Sequence, residues 1–157
     1  MTPDIHKAAE ISHESFSSHS GLDYLRDVIA NKHTYPFGEL LKIRVVAAGD
    51  GTAELEATPD YAFYNPMFRI HGGYLATLMD SALGSAVITK LPHGHGAGTV
   101  NLNVNYVRKA DVGSGILLAK AKVLHSGRSM LTAEAHVTDA AGKLCVHGTG
   151  IFLIYQK

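Results

Sequence analysis

One stretch constrains the fold of this 157-residue chain more than any other. Residues 70–89, IHGGYLATLMDSALGSAVIT, carry a single formal charge, Asp80. The Gly-Gly start and the run of Ala, Leu and Met predict a helix over roughly 72–89. A helix apolar on every side needs cover on every side. The rest of the chain offers that cover with a period of two. TVNLNVNYV alternates Val100, Leu102, Val104 and Tyr106 against Asn101, Asn103 and Asn105. GILLAKAKVLHS, SMLTAEAHVTDA and KLCVHGTGIFLIYQ are longer runs, separated by GR and AAG as tight turns. Upstream, ELLKIRVVAAG places Leu41, Ile43, Val45 and Ala47 on one face. TAELEATP sets Ala53, Leu55 and Ala57 against Thr52, Glu54 and Glu56, and GDG between the two runs signals a hairpin. Strands joined by such short turns are antiparallel. Their sheet has one apolar face to bury, and the long helix is the element that can bury it. The fold class is therefore α+β, an antiparallel sheet of five to six strands wrapped around one long central helix.

Before that unit, residues 1–20 are rich in Ser and His and lack a period, which reads as a loose arm. SGLDYLRDVIAN spaces Leu22, Leu25, Val28 and Ile29 as a short amphipathic helix, and TYPFG punctuates it. The expected division is an arm with a short helix over 1–35 and one domain over 36–157. A chain this long buries roughly two-thirds of its unfolded surface and needs no staple. The 14 basic and 14 acidic residues balance, which argues against a nucleic-acid partner. Cys145 is the one cysteine, so no disulfide forms within the chain and a reducing compartment fits. The N-terminus has no apolar core of a secretory signal. His71 and Asp80 inside residues 70–89 speak against a membrane span. The expectation is a cytoplasmic protein.

Asp80 then needs a reason. Ala76, Thr77, Leu83, Gly84 and Val87 share its face by spacing, and most are small, so another backbone can come close. No Lys or Glu accompanies it, as on a solvated helix face. The helix start is equally unusual. Gly72 and Gly73 each cost about 1 kcal/mol in helix propensity, yet they let a ligand reach first-turn N–H groups suited to an oxyanion. An oxyanion site and a carboxylate together suggest acyl transfer to water. Gly72 and Asp80 are eight residues apart, about 12 Å along a helix, and both must come within about 3 Å of one reacting centre. If both act on one carbonyl, they come from different chains.

NPMFRIHGGYLATLMD, followed by TVNLNVNYVRKADVG and HSGRSM, resembles the hotdog-fold acyl-CoA thioesterases, in particular the phenylacetic-acid-degradation branch. The resemblance spans about residues 38–155. It implies that Gly72 N–H polarises the thioester carbonyl and that Asp80 of the partner subunit is general base or nucleophile. It implies that His71 and Asn65 shape the loop before the helix, with Asn65 also orienting water, and that Thr99 helps hold that water. Gly73 belongs to the same substrate-facing turn. Arg128 and Ser129 are candidates for a CoA phosphate, as are Arg108 and Lys109; Lys109 stands where the family commonly has Pro. The implied substrate is an acyl-CoA with an aromatic, medium- or long-chain acyl group, and the implied assembly is a homodimer or a dimer of dimers. No metal and no cofactor is expected beyond the coenzyme A of the substrate.

Other chemistries fit less well. His93 and His95 in HGHG lack a third ligand at recognisable spacing, and Cys145 and His147 are far along the chain. No G-x-S-x-G and no G-x-G-x-x-G occurs. A hydratase or dehydratase of the same fold, and a non-catalytic acyl-CoA-binding module, remain the alternatives.

Overall fold

The computed structural model describes residues 5–32 and 34–156. Helices α1 (Ile5–Ser18), α2 (Gly21–Asn31) and α3 (Pro36–Leu41) lead into strands β1 (Ile43–Gly49) and β2 (Thr52–Ala57). Helix α4 (Gly72–Ile88) follows, then β3 (His95–Tyr106), β4 (Leu117–Ser126), β5 (Met130–Thr138) and β6 (Leu144–Gln156). The strands form one sheet in the order β1-β2-β4-β5-β6-β3. Every neighbouring pair is antiparallel. The fold is the expected one: a six-stranded sheet curled around α4.

The core lies where the sheet meets that helix. Leu78, Met79, Leu83 and Val87 are sealed from solvent, as are Leu55, Leu117, Leu131, Val137 and Val146 of the strands. Fully burying one such side chain contributes about 1.5–3 kcal/mol, so these contacts fix how α4 sits on the sheet. Alternation sets the register. In β5, Leu131, Ala133, Ala135 and Val137 point inward, and a slip of one residue would turn them all to solvent.

The structure corrects several details. Residues 5–18 are a helix, not a loose arm; residues 1–4 of that arm lie outside the described residues. Phe16 packed on Tyr24 and several polar contacts hold α1, and one ring is too little to show as a hydrophobic period. Ser15 Oγ donates to Asp27 Oδ2 at 2.9 Å, the Ser12 and Tyr24 hydroxyls meet at 3.1 Å, and His93 Nε2 lies 2.9 Å from Ser17 O. TYPFG starts a helix instead of only ending one. Pro36 occupies an opening position of α3, where its missing N–H costs nothing, and Leu41 therefore belongs to α3 and not to β1. A bulge between Val45 and Ala47 re-aims β1, so Ala47 is exposed while Ile43 and Val45 are buried. β3 begins at His95 inside the glycine-rich segment; Gly96 lets the exposed Tyr155 ring lie over the strand, since a Cβ there would come within 2.6 Å of it. Around α4, Leu83 and Val87 face the core, and the half-exposed stripe is Ala76, Thr77, Asp80, Ser81, Gly84 and Ile88.

Candidate active site

The first turn of α4 is built almost wholly from backbone. His71 is the N-cap, and its Nδ1 accepts the Gly73 N–H at 2.8 Å. The His71 carbonyl accepts from Tyr74 N at 3.0 Å and Leu75 N at 3.3 Å. Gly72 N–H is thereby left as the first-turn amide without a hydrogen-bond partner among the described residues. The sequence put both glycines at a substrate; the structure separates them, because the Gly73 amide is engaged by His71. Tyr106, at the end of β3, donates its hydroxyl to Gly72 O at 2.9 Å and pins the helix start to the sheet.

Asn65 organises the approach to that turn. Its Oδ1 accepts from Met67 N at 3.0 Å and Arg69 N at 3.2 Å, and its own N–H donates to Arg69 O at 2.7 Å. The loop turns through Phe68 in the left-handed region, at φ 60°. Ile70 N then donates to Ala110 O at 2.9 Å, which fixes the register at which the chain enters α4. Asn65 Nδ2 is the part of this side chain not engaged by the loop among the described residues.

Asp80 lies two turns further along α4, half-buried. Thr99 Oγ1 donates to its Oδ1 at 2.9 Å, which orients the carboxylate toward β3. Beside the pair opens a cavity of about 420 Å³, within the usual range for small-molecule sites. Tyr35 crosses its edge and donates its hydroxyl to Ser81 Oγ at 3.0 Å. Burial pushes the Tyr35 hydroxyl above its ordinary pKa, so it stays a donor. Neither Tyr35 nor Ser81 was legible as a site residue in the sequence: both positions are ordinary, and only the fold brings residues 46 apart into contact.

The candidate residues thus form two groups within one chain. Asn65, His71, Gly72 and Gly73 stand at the start of α4, near the Tyr106 end of β3. Arg108 and Lys109 follow that same strand end, both exposed, with Arg108 Nε donating to Leu144 O at 3.3 Å. Asp80 and Thr99 stand further down α4 and β3. Arg128 and Ser129 form the turn between β4 and β5, and Ser129 O accepts from Ile154 N at 2.8 Å. Ile154 pairs with Ala97, so this turn lies toward the opposite end of the sheet from Arg108. Among the described residues, no three His, Cys, Asp or Glu side chains cluster to hold a metal ion, and no helix is long and apolar enough to cross a membrane.

Comparisons with known proteins converge on one family. A family model described as the thioesterase superfamily matches residues 69–146, from the approach to α4 into β6. Human acyl-coenzyme A thioesterase 13 is 30% identical over 108 residues, which cover 68% of this chain and 76% of that protein. A Halobacterium salinarum protein provisionally named an esterase is 37% identical over 95 residues, 55% of this chain and 61% of that one. The structure of a conserved protein from Pseudomonas aeruginosa superposes with a TM-score of 0.73 at 31% identity, covering 80% of this chain and 98% of its own. The sheet wrapped on one helix, the family match and the acyl-coenzyme A thioesterase relative point the same way. The chain belongs to the thioesterase superfamily, as a hotdog-fold thioester hydrolase.

Proposed function

We propose that the chain hydrolyses acyl-CoA thioesters at a site shared by two protomers, without a cofactor beyond the coenzyme A of the substrate. The observation that carries this reading is the separation of the open Gly72 amide from the Asp80–Thr99 pair on one rigid helix. Eight residues of helix are about 12 Å, too far for both groups to reach one carbonyl within a chain. The name of the human relative, an acyl-coenzyme A thioesterase, supports the substrate class.

The edge of the sheet supports the assembly. β3 is an edge strand of 12 residues, and none between Gly96 and Tyr106 is charged or Pro. Such an edge is a template for pairing. Tyr106 touches Gly72 and Thr99 touches Asp80. An antiparallel pairing of two β3 strands that sets Thr99 opposite Tyr106 of the second copy therefore brings each Asp80 beside the other Gly72. Two equivalent sites follow from the two-fold axis. The small side chains of Ala76 and Thr77, half-exposed and outside the cavity beside Asp80, let the two α4 helices approach.

In this arrangement the thioester oxygen accepts from Gly72 N–H, and the helix dipole favours the charge that develops there. Asp80 takes a proton from water as the water oxygen bonds to the carbonyl carbon. The tetrahedral intermediate collapses, the C–S bond breaks, and the CoA sulfur leaves with the electron pair and is protonated. Direct attack by Asp80, giving an anhydride that water then opens, is the other balanced route. Single turnover in ¹⁸O-water tests for the second route: label in Asp80 establishes an anhydride opened at the Asp80 carbonyl, whereas label in the product acid alone fits the first route or opening at the acyl carbonyl. Thr99 holds the carboxylate, and Asn65 Nδ2 is the group available to orient the water. The His71 ring is occupied as an N-cap at Nδ1, which favours hydrolysis over a dehydratase with a histidine base.

The test is thiol release from a panel of acyl-CoAs, with Asp80→Asn alongside. The expected result is turnover by the wild type and a loss of about 100- to 10,000-fold in the variant, while a non-hydrolysable acyl-CoA thioether still binds. Wild-type-like hydrolysis by Asp80→Asn removes the assignment.

A further inference from the structure

The cavity beside Asp80 has a roof that lies outside the matched family region. Residues 69–146 carry the family match, yet Ala9, Ser12, His13 and Phe16 of α1 line the cavity. Their spacing of three, one and three places them on one face of α1. On the floor, Asp80, Gly84 and Ile88 form one stripe of α4 at spacings of four. The cavity therefore runs along α4 from the carboxylate toward the helix C-terminus, over about 12 Å.

At Ile88, the last residue of that stripe, α2 packs directly on α4. Gly21 N donates to Leu91 O at 3.0 Å, and a Cβ on Gly21 would lie 1.8 Å from Ile88 O. Only glycine allows an approach this close. Just before and after this contact stand Phe16 and Tyr24, packed edge to face with ring centroids 5.0 Å apart. The Tyr24 hydroxyl is held by Ser12, so the pair is braced. On the α4 wall Gly84 leaves room: a Cβ there would meet only Phe152, at 3.7 Å. A half-open, largely apolar channel that starts at the carboxylate and carries these two rings in its wall suits a linear apolar group of limited length.

We propose that this channel takes the acyl chain of the substrate, and that the N-terminal helices set its length, with Phe16 and Tyr24 as the stop. This rests on the acyl-CoA hydrolase reading and narrows it to medium-chain acyl groups. Each methylene buried before the stop adds up to roughly fourfold in kcat/KM, and methylenes beyond it add nothing or clash.

The experiment uses the full chain and a linear series from butanoyl- to palmitoyl-CoA, with phenylacetyl-CoA, assayed by thiol release. The wild type is expected to peak at octanoyl- or decanoyl-CoA and to fall at least about tenfold by palmitoyl-CoA. Phe16→Ala lengthens the optimum, and Gly84→Leu, which fills the channel from the α4 wall, shortens it. Circular dichroism checks that both variants fold; if Phe16→Ala does not, the shortening by Gly84→Leu decides alone. A wild type that takes palmitoyl-CoA as well as octanoyl-CoA, or that prefers phenylacetyl-CoA with Phe16→Ala leaving the linear series unchanged, overturns the proposal. Calorimetry with octyl- and hexadecyl-CoA thioethers reads the channel without turnover. If no thioester is hydrolysed but Phe16→Ala gains affinity for the hexadecyl compound, the hydrolase reading falls and the length stop stands. If the variant gains none, the stop falls as well.

Discussion

The first turn of α4 and its third turn carry different kinds of chemistry. At the first turn the proposed working group is a backbone amide, Gly72 N–H, held in place by the His71 cap, the Tyr106 hydroxyl and the Asn65 loop. No side chain there is buried and charged. At the third turn the proposed working group is the Asp80 carboxylate, oriented by Thr99 and bordered by a cavity of about 420 Å³. One region offers a fixed dipole at an open surface, and the other offers a charge beside an apolar space. Neither is a complete catalyst. The helix that makes both rigid also keeps them apart, so the proposed reaction draws on two copies of a half-site.

The largest effect that could break this comparison comes from removing the amide alone. Gly72→Pro deletes the N–H at the first position of the helix, where proline is favoured. His71 already has φ −62° and ψ 137°, the region that a residue before proline needs. The melting temperature should hardly move, while kcat falls about 100- to 1,000-fold. Mixing this variant with Asp80→Asn by co-refolding then tests the geometry directly. In a random mixture half the dimers are mixed, and each mixed dimer has one intact site, so roughly a quarter of the wild-type rate should return. If the mixture stays as inactive as its components, the two groups do not meet across protomers.

The two regions also differ in how far the sequence disclosed them. The helix, its lone carboxylate and the paired glycines could be read directly, because an uncharged apolar run with one Asp is conspicuous and a period of two around it leaves few folds. The Gly72–Asp80 separation followed from helix rise alone. What distinguishes Gly72 from Gly73 did not, since it depends on the direction in which the His71 ring turns. The cavity was illegible. Its roof is an amphipathic face of four residues, two of them polar, in a segment that reads as a loose arm. Besides Phe16 packed on Tyr24, α1 is held by side-chain polar contacts to α2 and by a His93 ring nitrogen on the Ser17 carbonyl, and such contacts leave little periodic trace. The bulge in β1 was hidden for a similar reason, because alternation continues through Ala47 and only the pairing with Glu54 shows the shift.

A smaller effect sharpens the role of the third turn. Thr99→Val keeps the shape of the side chain and removes the hydrogen bond to Asp80 Oδ1. A bond to a charged acceptor contributes about 1.5–3 kcal/mol, part of which solvent restores at this exposed residue. The expected outcome is a fall of roughly tenfold in kcat with KM little changed, and recovery to within about twofold in Thr99→Ser. A KM effect without a kcat effect would move Thr99 from holding the carboxylate to contacting the substrate.

The smallest effect concerns the rigidity of the first turn and leaves its chemistry alone. Tyr74 donates its hydroxyl to Leu41 O at 2.9 Å and stacks on Phe63 with ring centroids 4.5 Å apart, tying the start of α4 to the end of α3. Burial pushes this hydroxyl up to about 12, with the Asp60 carboxylate adding to the rise. The folded state therefore holds the proton more tightly than the unfolded one. Below pH 10, the ordinary value for the group, both states are protonated and the stabilisation is complete. Between that pH and about 12 the unfolded chain ionises first and stability declines. Tyr74→Phe should cost about 1 kcal/mol at neutral pH through the lost hydrogen bond, leave kcat within about twofold, and flatten the alkaline decline. Thermal unfolding of both proteins at pH 7, 9, 10 and 11 reads all of this except kcat. Parallel curves would mean that another ionisation governs alkaline stability. A large fall in kcat would mean that the first turn depends on α3 for its alignment, and that the open amide is less rigidly held than its cap and loop contacts imply.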